Sequence, residues 1–441
     1  MNQDQEKEII ERSGIKDGIF DLKNVQSFYP GTKIKNGVDT GEPCMVIGVT
    51  KKENIENLEG KDLIPGVLGG SVKTDIVEES EISRYGGCAG SETIGTNSVP
   101  SGPCDGHNYK KSGDPFINAH GGISIGPSDS LRLWSGTLGF IARDKIDKKL
   151  VGVSNNHVLG DYVDTFYSPL GCYLDGEDVL EAFKVDKNFK PIIENIIQTP
   201  SIPDATGGSV VLGKVKRSIP TKWGSGWLPD NTVDAGIVEL NESIQPMVDL
   251  AGLSEDALTI GEAKIGARVS KSGRTTGVTG VSDEVSNPTT IVSTNYTVAI
   301  GSGCGDGLKT KFSNCIKFNW NAEMGNNWEF FSYAGDSGSA IMMDDSGQKK
   351  LIGLLFAGTH FSNSNNMPNP PYGTGVACKI DSVFNALNIE PWNGRVVCAN
   401  DSNFIKINGS CYKSSRAEKP IQQVTHTEHA GHATEEQCLN N

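Results

Sequence analysis

Three short segments carry side chains that could do chemistry together. Leu150-Val151-Gly152-Val153-Ser154-Asn155-Asn156-His157-Val158-Leu159 ends an apolar run on a histidine. Asn231-Thr232-Val233-Asp234-Ala235-Gly236-Ile237-Val238 opens another with an aspartate. Gly335-Asp336-Ser337-Gly338-Ser339-Ala340 sets a serine between glycines just before a third apolar run. A serine hydroxyl is a poor nucleophile at neutral pH unless a base takes its proton as it attacks. Imidazole, with an unperturbed pKa of ~6.5, can accept that proton and return it. A carboxylate on its other nitrogen fixes the tautomer and stabilises the imidazolium that forms. Glycine before the serine lets two backbone N–H groups converge on a developing oxyanion, worth roughly 3–4 kcal/mol per donor. Alone, Asp-Ser-Gly is commonly a surface turn, a strand-end histidine commonly structural, and Asp234 a strand-edge charge. Their combination in the order His–Asp–Ser, each at a strand end, singles them out.

Other reactive groups form weaker patterns. His426, His429 and His432 are spaced HxxHxxH with Cys438 nearby, a possible metal set, but they stand in a polar tail and are read as incidental, so no metal is expected. Cys304 and Cys315 bracket a glycine-rich stretch and would bridge only in an oxidising compartment. His120 and His360 have no evident catalytic partner, and Cys398 and Cys411 have no readable role.

The elements that must position these groups are short strands: Thr137 to Ile141, Leu150 to Val153, Gly236 to Leu240, Ala267 to Ser270, Thr290 to Val292, Thr297 to Ile300, Ser339 to Met343 and Leu351 to Phe356. Strands this close, separated by turn residues, point to an all-β barrel or sandwich. The 53 glycines in 441 residues exceed the usual ~7% and fit many tight turns. Residues 1–85 read as a small α+β unit with strands at Cys44 to Val49 and Val72 to Val77, and 86–118 as an exposed linker. Turn signals dominate from Ser168 to Asn231, which is read as long loops. Asp381 to Leu387 has the apolar spacing of a short helix, and 393–441 is a polar, partly disordered extension.

The balance of 40 basic against 54 acidic residues, net −14, argues against a sequence-independent nucleic-acid binder. No apolar run approaches the ~18 residues of a membrane span. The start MNQDQEKEII lacks the apolar core of a secretory signal. A cytoplasmic location with reduced thiols is therefore expected, and the ten cysteines include no Cys-x-x-Cys pair.

GDSGS at 335–339, NNHV at 155–158 and VDAGIVEL at 233–240 resemble the three motifs of chymotrypsin-like serine proteases, and SGRTTG at 272–277 resembles the alpha-lytic type. From about Val46 to Leu387 the segments TLGFIA, SNNHVLG, KSGRTTGVTG, GDSGSAI and IGLLFAG are similar to intracellular trypsin-like proteins related to the plant narrow-leaf protein. That group also carries a leader with elements like Thr40-Gly41-Glu42 and Thr74-Asp75-Ile76-Val77-Glu78. The resemblance implies a chymotrypsin-like double β-barrel, one barrel at 119–254 and the other at 255–392. It implies an endopeptidase with Ser337 as nucleophile, His157 as general base and Asp234 as orienting carboxylate, working through an acyl-enzyme without a cofactor. The N–H groups of Gly335 and Ser337 would form the oxyanion hole. Asp336 would be a buried carboxylate, and Arg274 is the expected cation beside it, giving a site assembled without an activating cut. Counting six back from Ser337 puts Phe331 at the base of the primary pocket, which would suit small or apolar side chains. Phe356 and Gly358 would line the cleft, where an extended peptide would add as a strand. The partner is then a protein or peptide substrate, with neither nucleic acid nor membrane; no motif identifies a homo-oligomer or a regulatory partner. The alternative is a protease-fold module that binds peptides or processes only itself.

Overall fold

The computed structural model describes residues 1–84, 117–127, 136–160, 196–198, 210–250, 253, 258–281, 288–301, 308–324, 327–328, 331–359, 372–392 and 404–413, less a few positions within them. The linker expected at 86–118 lies almost wholly outside these residues, as do His360, Cys304, Cys398 and the HxxHxxH segment. The architecture is all-β, with α-helices α1 (Gln3–Ser13), α2 (Asn156–Gly160) and α3 (Ile380–Leu387) set into it. No helix among the described residues is long and apolar enough to cross a membrane.

One sheet has eight strands in the order Ile389–Pro391, Phe140–Asp144, Leu150–Ser154, Gly236–Leu240, Val210–Ser218, Ile196–Gln198, Ser124–Pro127 and Gly136–Thr137. The run Leu150–Ser154 is buried on both faces beyond its first residue, with neighbours on both edges, which explains its continuous rather than alternating apolar pattern. Val210–Ser218 is a strand where long loops were expected; its alternating Lys214, Lys216 and polar Ser218 mask the apolar periodicity.

The second sheet has fourteen strands. Its main path runs Gly277–Thr279, Val269–Gly273, Ala340–Asp345, Gln348–Thr359, Tyr372–Lys379, Lys309–Asn321, Thr290–Gly301, Val25–Lys35, Val38–Val49, Val72–Glu78 and Val67–Leu68. The two segments read as separate strands at 290–292 and 297–300 are one long strand. Neither sheet closes into a barrel among the described residues, a departure from the two closed barrels expected. The reason lies at the edge of Thr290–Gly301. Val25–Lys35 pairs there, with Ser27 opposite Val298 and Phe28 opposite Thr297, so the sheet continues into the N-terminal residues.

Residues 1–84 are thus not set apart as expected; they extend the second sheet. Helix α1, started by a capping box between Asn2 and Gln5, buries Glu6, whose carboxylate accepts hydrogen bonds from Ser293 Oγ (2.7 Å), the Thr294 N–H (3.1 Å), the Thr294 hydroxyl and Asn295 Nδ2 (2.8 Å). The receiving strand slips register on both sides of Ser293, which turns these donors toward the helix. Glu79 is buried against Lys317 of Lys309–Asn321, and it also accepts from Ser27 Oγ at 2.7 Å and Tyr296 OH at 3.3 Å. The Lys317 ammonium lies over the Tyr29 and Tyr296 rings at 4.3 and 5.1 Å.

Helix α3 forms where its spacing predicted it, burying Val383, Phe384 and Leu387. It ends at Asn388 in the left-handed region, and Ile389–Pro391 then pairs with Phe140–Asp144 of the first sheet. Arg217 clamps this return by donating to Asp144 Oδ1 (2.9 Å) and to the Leu387 carbonyl (2.6 Å). Burial alone would push the Asp144 carboxyl up, but bonds from Arg217, the Ile146 N–H and Lys216 outweigh it and pull it down to about 2. Because the folded value lies below the unfolded one, the unfolded chain binds the extra proton. The pair therefore stabilises the fold above about pH 4 and loses its effect as pH falls toward 2. Asp144→Asn should cost about 2 kcal/mol at pH 7, with the difference from wild type shrinking toward pH 2 in denaturant melts.

Candidate active site

The strand Leu150–Ser154 and helix α2 deliver His157, and the strand Gly236–Leu240 delivers Asp234 just before its first residue. These strands are neighbours, with Ser154 opposite Gly236, which brings the two side chains together. His157 Nδ1 lies 2.6 Å from Asp234 Oδ2, and the His157 backbone N–H donates to Asp234 Oδ1 at 3.1 Å. Asn155 Nδ2 donates to the Asp234 carbonyl at 2.7 Å, and the Asp234 N–H to Cys378 Sγ at 3.2 Å. Burial alone would raise the Asp234 carboxyl, but the His157 charge and hydrogen bonds, with the charge of Arg84, hold it below its ordinary range. The carboxylate is therefore ionised at neutral pH and fixes the imidazole with Nε2 as its second nitrogen. That Nε2 is buried and has no hydrogen-bond partner among the described residues.

The serine comes from the other sheet, in the turn before Ala340–Asp345. Gly335 and Gly338 have φ of 98° and 92°. A Cβ at Gly335 would collide with the Thr275 hydroxyl, and one at Gly338 with the Thr137 carbonyl and the Ser154 hydroxyl. Both positions thus require glycine in conformation and in space. The same contacts place the turn against the strand end that carries His157. The Thr137 N–H donates to the Ser337 carbonyl at 2.7 Å, and Ser154 Oγ to the Thr137 carbonyl at 2.7 Å. Within the turn the Asp336 N–H donates to Tyr333 and the Gly338 N–H to Leu355. Gly335 and Ser337, whose N–H groups are the expected oxyanion pair, both belong to this turn. Ser337 is fully buried, with its Oγ 3.5 Å from the Phe356 carbonyl.

The cation beside Asp336 is Lys271, at 3.2 Å with both side chains fully buried. This corrects the expectation of Arg274. Backbone direction decides it: in Val269–Gly273, Lys271 lies opposite Ile341 of the strand that follows the serine turn, so its side chain enters the core beneath Asp336. Arg274 follows that strand; its Nε donates to Ser124 Oγ at 2.8 Å and its N–H to Thr137 Oγ1 at 3.1 Å, tying the two sheets together. Asp336 further accepts from the N–H groups of Thr275 (2.9 Å), Thr276 (3.2 Å) and Tyr333 (2.9 Å) and from Thr276 Oγ1 (2.7 Å). Burial pulls the Lys271 ammonium down from its usual range, and Asp336 opposes that pull.

Phe331 is buried with its ring edge-on to Phe318 at 5.2 Å and tilted to Trp320 at 5.9 Å. The Lys271 ammonium lies 5.7 Å from the Phe331 ring. The Phe356 ring turns into the core against Phe312 at 4.6 Å, leaving only its carbonyl toward Ser337. Gly358 pairs with Gly375 on one side and Ser83 on the other. Arg84, which sequence reading missed, is buried here with its guanidinium 4.6 Å from the Trp223 ring. Its only sequence signal is a charge that ends a short apolar-polar alternation after Ile82. Among the remaining candidates, His120 Nδ1 lies 2.7 Å from Asp249 Oδ1, and Cys315 is a buried free thiol pushed up to about 12 by desolvation.

With this geometry in place, part of the structure is similar to Thermobifida fusca protease A, at 15% identity and a TM-score of 0.36, covering 63% of this chain and 100% of that one. It is also similar to a Nocardiopsis protease (17%, 0.35, 62% and 99%) and to Cellulomonas bogoriensis chymotrypsin (13%, 0.33, 63% and 100%). No family model and no curated protein matches the chain.

Removing one partner of the Lys271–Asp336 pair leaves a buried charge uncompensated. Lys271→Met should cost about 3–5 kcal/mol in urea unfolding. Arg274→Ala should cost only about 1 kcal/mol, the scale of ordinary hydrogen bonds.

Proposed function

We propose that the protein is a serine endopeptidase with a chymotrypsin-like arrangement of two β units, acting on protein or peptide substrates through Ser337, His157 and Asp234. The observation that carries this reading is the buried His157–Asp234 pair at 2.6 Å, set against a glycine-flanked serine turn from the facing sheet. The resemblance of its motifs to the alpha-lytic type and to the narrow-leaf group supports the same reading, and the intracellular character of the latter group supports a cytoplasmic location.

In the reaction Ser337 Oγ attacks the scissile carbonyl and gives its proton to His157 Nε2. The tetrahedral oxyanion is held by the N–H groups of Gly335 and Ser337. His157 then protonates the leaving amine, and water enters on the reverse path to release the acyl group. Asp234 stays ionised throughout and stabilises the imidazolium. Lys271 neutralises Asp336 from within the chain, so the turn is shaped without a freshly cut N-terminal ammonium. All of these groups are protein side chains or backbone, and the scheme uses no cofactor. The apolar Phe331 six residues before Ser337, where no acid stands, supports a primary preference for small or apolar side chains rather than basic ones.

A fluorophosphonate probe tests the reading. Ser337 should be labelled in wild type and unlabelled in Ser337→Ala. Asp234→Asn should retain the fold and lose roughly 10⁴-fold in peptide turnover. Absence of labelling from every folded form, wild type included, would overturn the assignment.

A further inference from the structure

The N-terminal residues reach the edge where a substrate would bind. Strand Ile82–Arg84 pairs antiparallel with the end of Gln348–Thr359, placing Arg84 opposite Ala357, Ser83 opposite Gly358 and Ile82 opposite Thr359. An extended peptide adds to a protein through such a free strand edge, its backbone completing the ladder. The segment runs toward Phe356, whose carbonyl lies 3.5 Å from the Ser337 hydroxyl. On the protease reading, on which this inference rests, the edge belongs to substrate. We propose that Ile82–Arg84 is a built-in occupant of the substrate strand, and that the protein cuts other chains only after this segment is displaced.

The segment is held there from both ends of its length. Glu79, three residues upstream, is locked to Lys317. Gln26 Nε2 donates to the carbonyls of Glu79 (3.2 Å) and Ser80 (3.0 Å), and Gln26 Oε1 accepts from the Ile82 N–H at 3.3 Å. Ile82 is buried within the same core cluster as Phe356 and Ala357. At the other end the buried Arg84 guanidinium stacks over Trp223, and its charge acts on the Asp234 carboxylate. A strand serving only to cover an edge has no need of a buried cation whose charge reaches the carboxylate that orients the base. Ser337 and His157 are both buried, and His157 Nε2 has no hydrogen-bond partner among the described residues. A tethered segment of this kind competes at an effective concentration on the order of millimolar, so free peptides enter only when it leaves.

Two full-length variants displace it by different means. Ser83→Pro removes the N–H of the residue opposite Gly358, and Arg84→Glu reverses the buried charge that acts on Asp234. Each is checked for folding by its melting transition and read in two ways. Amide exchange at Ala357–Thr359 reports occupancy directly, and fluorophosphonate labelling of Ser337 reports access. The expected result is protection of those amides in wild type, its loss in the variants, and labelling faster by about tenfold or more, since the rate scales with the fraction of open sites. Fast exchange of these amides in wild type overturns the proposal outright, as do folded variants that exchange and label like wild type. Exchange that rises in the variants with no labelling in any form sustains the occupancy and removes the protease reading instead.

Discussion

The buried ion pair between Glu79 and Lys317 fixes the relation between the N-terminal residues and the rest of the molecule. Taking two such charges out of water costs several kcal/mol each unless their remaining hydrogen-bonding capacity is met. Here it is met by Ser27 and Tyr296 on the carboxylate and by the Tyr29 and Tyr296 rings around the ammonium. Tyr29 and Ser27 lie on the first N-terminal strand and Tyr296 on the strand that it extends. Displacing either strand would strand both charges. The pair thereby holds the sheet in a single register from the N-terminus to Lys309–Asn321. The ladder continues through Tyr372–Lys379 to Gln348–Thr359, which carries the Phe356 carbonyl toward Ser337.

The candidate site divides its charges between two jobs. Asp336 and Lys271 form a sealed pair whose hydrogen bonds hold the serine turn and the Thr275–Thr276 segment in place. Asp234 instead faces a histidine, the side chain that serves as general base in the proposed reaction. The second arrangement suits chemistry because its charge state can change; the first suits architecture because its own should not. Arg84 adds a further charge, carried by the strand Ile82–Arg84 on the second sheet. Its charge helps to keep the Asp234 carboxyl below its ordinary range, so the N-terminal residues bear on the electrostatics of the site.

How much was legible in the sequence follows from the range of the interactions. Strands such as Leu150–Ser154 and Ala340–Asp345, and the burial of α3, follow from local periodicity, because a buried element needs apolar residues at its own period whatever its neighbours. Helix α1 carries mostly charged residues and buries Glu6, Ile9 and Ser13, too few apolar side chains for periodicity to reveal it. Val210–Ser218 was hidden by its lysines, and the extension of the second sheet depends on an edge pairing between residues some 270 apart in sequence.

The sequence by itself determined the chemical types: a histidine, an aspartate and a glycine-flanked serine, each beside an apolar strand, in an acidic chain rich in turns. These are properties of short segments, and each is present in the order of the residues. Tertiary structure alone decided which cation neutralises Asp336, since Lys271 and Arg274 stand three residues apart and only the direction of the strand sends one inward. It also decided that Ile82–Arg84 takes the edge beside Ser337, because strand pairing is made by backbone groups that every residue carries. No residue type announces it, and only the folded register does.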